Sequence, residues 1–111
     1  MFIIILNLMK NDFVHLHLHS QYSLLDGAIK FDELFDEVAR QGMSAVALTD
    51  HGNLFGAYDF YKLGKKNNIK PIIGCEVYIT RDRTKKTPEN NKTHHLTVLC
   101  MNIKGYENLC S

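Results

Sequence analysis

Tryptophan is absent, proline occurs twice and cysteine three times in the 111 residues. Cys75, Cys100 and Cys110 form no CxxC pair and are odd in number. That pattern argues against a disulfide framework and against structural zinc of the thiolate type, and it suits a reducing cytosol. No long apolar run is present. The opening MFIIILNLMK is about half the length of the ~20 residues a membrane span requires. It has no leading positive charge and no small-residue cleavage site, so neither a membrane partner nor a signal peptide is expected. Charge of one sign is not in excess either: the formal net charge is +1, and any nucleic-acid contact must come from a local patch rather than a long-range field. Met9 stands just before a polar Lys-Asn-Asp stretch, so residues 1–12 read either as a translated leader or as an extra edge strand.

What is present is an ordinary globular composition, 45% hydrophobic and 23% charged, enough for one modest core and one domain at most. Phe13 to His19 alternates, with Val14, Leu16 and Leu18 on one face and Phe13, His15, His17 and His19 on the other, which predicts a strand. Phe31, Leu34, Phe35 and Val38 recur at helical spacing up to Gln41, and Gly42 follows as a stop. Ser44 to Thr49 reads as a buried parallel strand ending in the turn-like Asp50-His51-Gly52-Asn53. Asn53 is placed to cap a second helix running to about Asn67, with Leu54, Tyr58 and Tyr61 on one face and Lys62, Lys65 and Lys66 on a solvated one. Pro71 to Ile79 reads as a third strand, Thr80 to Thr93 as a polar loop, HLTVLCM as a fourth strand, and Lys104 to Leu109 as the start of a helix.

The order β-α-β-α-β-loop-β-α predicts an α/β fold. Two right-handed crossovers make the first three strands parallel, with sites at their carboxyl ends. His17 and His19 close the first strand, Asp50 and His51 close the second, and Glu76 lies inside the third, where a carboxylate needs a reason to be buried. The connection to the fourth strand contains no evident helix, so an antiparallel return is expected, which carries His94 and His95 to the same edge. Residues two apart in a strand share a face at roughly 6.6 Å, so His17 and His19 can reach one ion or two neighbouring ions. Asp26, in the turn LLDG, joins them with His51, Glu76 and His95. Mixed imidazole and carboxylate donors suit zinc, manganese or iron better than magnesium or calcium. Ser20, Ser23 and Thr49 read as turn capping and strand packing. The loop from Arg81 to Lys92, with five basic and two acidic residues, is a candidate contact for a DNA backbone.

Four blocks in order, HLHLHSQYSLLDG, ALTDHGNLFGAYDFYK, IKPIIGCEVYI and HHLTVLCMNIKGYENL, resemble the PHP (polymerase and histidinol phosphatase) domain family. Their wording is closer to the polymerase branch, found at the start of the bacterial replicative DNA polymerase III alpha subunit, than to the phosphatase branch. The resemblance covers Phe13 to the end of the chain. It implies the first half of a distorted (β/α)7 barrel, with residues 13–111 as a truncated N-terminal part whose remaining ligands lie elsewhere. It also implies that His17, His19, Asp26, His51, Glu76 (bridging) and His95 are ligands of a di- or trinuclear cluster of divalent transition metals. His15, Asp50 and His94 are then expected to orient ligands by hydrogen bonding. The function implied for the parent is DNA replication by a cytoplasmic polymerase. DNA and other holoenzyme subunits would be its partners, and the metal site would carry phosphoesterase or 3′-to-5′ exonuclease chemistry, while this chain alone is not expected to polymerise. A freestanding phosphoesterase of the histidinol phosphatase type and a non-catalytic scaffold for a proofreading partner are the competing readings.

Overall fold

The computed structural model describes residues 11–111; the alternative of a leader or an extra strand falls almost wholly on residues outside that range. Three helices and three strands follow one another as α1 (Phe31–Arg40), β1 (Ala45–Leu48), α2 (Ala57–Lys66), β2 (Lys70–Ile79), β3 (His94–Leu99) and α3 (Ile103–Cys110). The sheet order is β1-β2-β3. β1 and β2 are parallel, with Ala45 opposite Lys70 and Leu48 opposite Ile73, while β3 returns antiparallel with Glu76 opposite Thr97 and Tyr78 opposite His95. The α/β class and the antiparallel return agree with the sequence reading. Among the described residues, no helix is long and apolar enough to cross a membrane.

α1 forms where the apolar spacing demands it: Phe31, Leu34, Phe35 and Val38 are all buried. Asp32 and Glu33 in its first turn and Arg40 in its last complement the helix dipole. The helix ends in a Schellman turn. Gly42 adopts φ 71° and donates its N–H to the Ala39 carbonyl at 3.0 Å, while Met43 donates to Val38 at 3.1 Å. Phe31, Phe35 and Phe60 then pack ring against ring, with centroids 5.4 Å (Phe31–Phe60) and 5.1 Å (Phe35–Phe60) apart. Val46, Leu48 and Ile69 complete the core beneath them. Phe60 is fully buried, and truncating such a ring to alanine costs about 3–5 kcal/mol.

Two expectations change. α2 starts at Ala57 rather than just after Asn53, with Gly56 as its N-cap; the Asn53 amide braces the loop before it. Its Nδ2 donates to the carbonyls of Tyr22 and His51, both at 3.1 Å, and its Oδ1 accepts from the Phe55 N–H at 3.2 Å. The buried face of α2 is Ala57, Phe60 and Gly64, and Tyr58 and Tyr61 stand exposed. The fully apolar Phe60 ring, packed against Phe31 and Phe35 of α1, sets the rotation of the helix.

The strand expected over Phe13 to His19 is not a strand of the sheet; the segment only touches β1 through two main-chain hydrogen bonds. Ala47 donates to the His15 carbonyl and Thr49 to the Leu18 carbonyl, both at 2.9 Å. Donors two residues apart thus meet acceptors three apart, so one extra residue is accommodated at Leu16–His17 as a bulge. Leu16 is therefore turned out to solvent. Thr49 repairs the ladder with its side chain: Oγ1 accepts the Leu18 N–H at 2.8 Å and donates to the Leu18 carbonyl at 3.1 Å.

Candidate metal centre

Glu76 lies in the middle of β2 and is buried at 5% exposure. The bulged segment before it, the β1 terminus beside it and the antiparallel β3 each bring imidazole nitrogen to its carboxylate. His17 and His19 both donate from Nε2 to Oε2 at 2.5 Å, and His95 donates from Nδ1 to Oε1 at 2.8 Å. His51 Nε2 lies 3.8 Å from Oε2 and 2.6 Å from Asp26 Oδ2. His19 uses its other nitrogen, Nδ1, at 3.3 Å from the same Asp26 oxygen. His17 and His19 thus converge on one carboxylate oxygen.

These contacts make three overlapping triads, each with its donor atoms within 4.8 Å of one another: His17, His19 and Glu76; His19, Asp26 and His51; and His51, Glu76 and His95. His19, His51 and Glu76 are shared between triads, which is the arrangement that lets neighbouring ions share ligands. Desolvation of the buried Glu76 opposes its ionisation. Hydrogen bonds from His17 and His19, with the charges of His51 and His17, outweigh that penalty and bring its pKa down to about 2. An anionic carboxylate among four imidazoles fits a divalent transition ion in donor type and in charge. His51 Nδ1 is buried without a hydrogen-bond partner among the described residues.

All six residues singled out as ligands meet here, from four separated segments of the chain. Of His15, Asp50 and His94, expected to orient ligands by hydrogen bonding, only Asp50 is linked to them, and through the main chain. His15 stacks edge-on against Phe13, with centroids 4.8 Å apart, and its carbonyl serves the ladder. His94 pairs with Ile79 in the ribbon, and strand alternation turns it to the face opposite His95. Asp50 works through the backbone instead. Buried at 1% exposure, it accepts from the Ser20 N–H at 2.6 Å, the Ser20 hydroxyl at 2.8 Å and the Ser23 hydroxyl at 2.8 Å. The Ser23 hydroxyl in turn accepts the His51 N–H at 3.1 Å. Ser20 directly follows His19, so this network holds two candidate ligands in place by their main chain. Sequence reading missed Tyr78, whose ring borders His51 and His95; its place two residues after Glu76 on an alternating strand was the available signal.

The chain is 54% identical over 109 residues to the DNA polymerase III subunit alpha of Aquifex aeolicus, a match covering 91% of this chain and 9% of the relative. Against the same subunit of Helicobacter pylori (strain 26695) it is 53% identical over 97 residues, covering 87% of this chain and 8% of the relative. The chain thus spans less than a tenth of the length of these relatives. Among solved structures, an amidohydrolase from Chromobacterium violaceum, with bound sulfate and no metal, superposes with a TM-score of 0.61 at 26% identity, over 87% of this chain and 32% of that one. The profile of the PHP domain matches residues 15–111, the stretch that carries every candidate ligand, and the chain belongs to the PHP domain family.

Proposed function

We propose that this chain forms part of the metal centre of a replicative DNA polymerase alpha subunit, and that in the whole protein the centre hydrolyses phosphate esters, including nucleotides at a DNA 3′ end. The observation that carries this reading is the set of three triads sharing Glu76, His19 and His51. His17, His19, Asp26, His51, Glu76 and His95 would hold zinc, manganese or iron. Such ions supply Lewis acidity toward a phosphoryl oxygen and lower the pKa of bound water.

The chain's own contribution is preorganisation. Glu76, held anionic, balances cationic charge, and Asp26 bridges the His19 and His51 rings. The Asp50 network fixes the backbone from which His19 and His51 project, so the donors need not be gathered when a substrate arrives. The polymerase names of the relatives support DNA and other replication subunits as partners of the whole protein, in the cytoplasm, and favour this reading over a freestanding phosphoesterase.

Elemental analysis of the whole protein tests it. Two or more equivalents of a transition metal, lost in the His17→Ala, His19→Ala double variant, are the expected result. A folded protein without metal would leave only the scaffold role.

A further inference from the structure

We infer that Tyr78 is a positioning residue that stacks an aromatic ring carried by the phosphate ester, so that the centre prefers a nucleotide to an aliphatic phosphate of similar charge. The inference rests on the phosphoester reading above and names a substrate feature that the ligands by themselves cannot select.

Strand alternation puts Tyr78 on the same face of β2 as Glu76, two residues further along. Its partner across the ribbon is His95, whose Nδ1 reaches Glu76. The phenol ring meets His95 edge-on, with centroids 4.9 Å apart at 86°, and lies nearly parallel to His51 at 6.1 Å and 18°. His95 from β3 and His51 from the turn after β1 border the ring, yet 55% of the residue remains exposed.

Burying aromatic area is favourable, so a fixed ring left open beside a cluster of candidate ligands offers a ready stacking surface. Bases stack on such side chains with little regard to sequence, because every base presents a π-face. A phosphate drawn to the Glu76 cluster would leave its attached base within reach of this ring, while a base-free sugar phosphate would gain nothing from it.

The chain has no tryptophan, so a Tyr78→Trp substitution introduces a sole indole at the proposed platform. With the full chain loaded with zinc, titration with dAMP is expected to quench that indole saturably. 2-Deoxyribose 5-phosphate, which lacks only the base, is expected to displace dAMP without quenching by itself. In competition experiments Tyr78→Leu should weaken dAMP binding at least about fivefold and leave 2-deoxyribose 5-phosphate unchanged, and Tyr78→Phe should restore dAMP binding. Equal quenching by the two ligands, or equal weakening of both in Tyr78→Leu, would overturn the stacking role while leaving the metal reading intact. Absence of zinc uptake together with base-dependent quenching would do the reverse.

Discussion

Asp50 grips Ser20 with both carboxylate oxygens, taking the main-chain N–H at 2.6 Å on one and the hydroxyl at 2.8 Å on the other. Neither residue touches the candidate metal position, but Ser20 follows His19 directly in the chain and Asp50 precedes His51.

Substituting Asp50 by alanine would leave the buried Ser20 N–H and two serine hydroxyls without their acceptor. A loss of about 3 kcal/mol is expected, since hydrogen bonds to charged groups are each worth about 1.5–3 kcal/mol. Urea denaturation of wild type and Asp50→Ala measures it. Metal content should also fall, because the backbone of both ligands is released; an unchanged midpoint and unchanged metal content would show that the network holds nothing.

Metal removal should lower stability in proportion to ligand occupancy. A metal at a hundredfold excess over its dissociation constant stabilises the folded state by about 2.7 kcal/mol. Adding a chelator should therefore lower the melting temperature of wild type, and have no effect on the His17→Ala, His19→Ala variant. Calorimetry with and without chelator makes the comparison.

Glu37, on the exposed face of α1, accepts hydrogen bonds from Arg40 and Gln41, and these hold its pKa down to about 2. The folded value lies below the unfolded one of about 4.3, so the associated stability is present above that unfolded value and disappears as pH falls toward 2. Screening by water keeps the energetic effect of such a surface group small. Carbon-13 NMR of the Glu37 carboxyl should give a midpoint near 2, moving up toward 4.3 in an Arg40→Ala, Gln41→Ala variant.

The three thiols should differ in reactivity. Cys75 is buried at 4% exposure, its Sγ–H donates to the Asp50 carbonyl at 3.3 Å, and burial raises its pKa. Cys110 is exposed. At pH 8 a thiol reagent should modify Cys110 in the native protein and reach Cys75 only after unfolding, which mass mapping of the modified peptides resolves.

Much of the fold was legible because its signals are local. The 3.6-residue spacing of Phe31, Leu34, Phe35 and Val38 and the glycine after Gln41 determine a helix and its end without reference to the rest of the molecule. The short apolar run before Asp50 and the helix-free connection before His94 likewise determine a buried strand and an antiparallel return. Histidines and carboxylates recurring at segments that the strand order brings to one edge made the six candidate ligands readable, together with the four family-like blocks that carry them.

Tertiary structure decided what depends on competition between distant groups. Asn53 was placed by sequence to cap α2, but the helix begins four residues later, behind Gly56, and the Asn53 amide braces the preceding loop from the Tyr22 and His51 carbonyls. Sequence spacing put Leu54, Tyr58 and Tyr61 on one face of α2, whereas the docking of α1 against α2 placed Phe60 in the core and left both tyrosines exposed. The bulge at Leu16–His17 exists because Thr49 satisfies Leu18 from across the sheet, an exchange that no periodicity records. The amino-acid sequence by itself determined which residues could serve as ligands and which segments would carry them. The packing of those segments determined that Glu76 sits at their centre, that Asp50 holds serines rather than imidazoles, and that the ring of Tyr78 is left open beside the site, since each of these is a contact made across the fold.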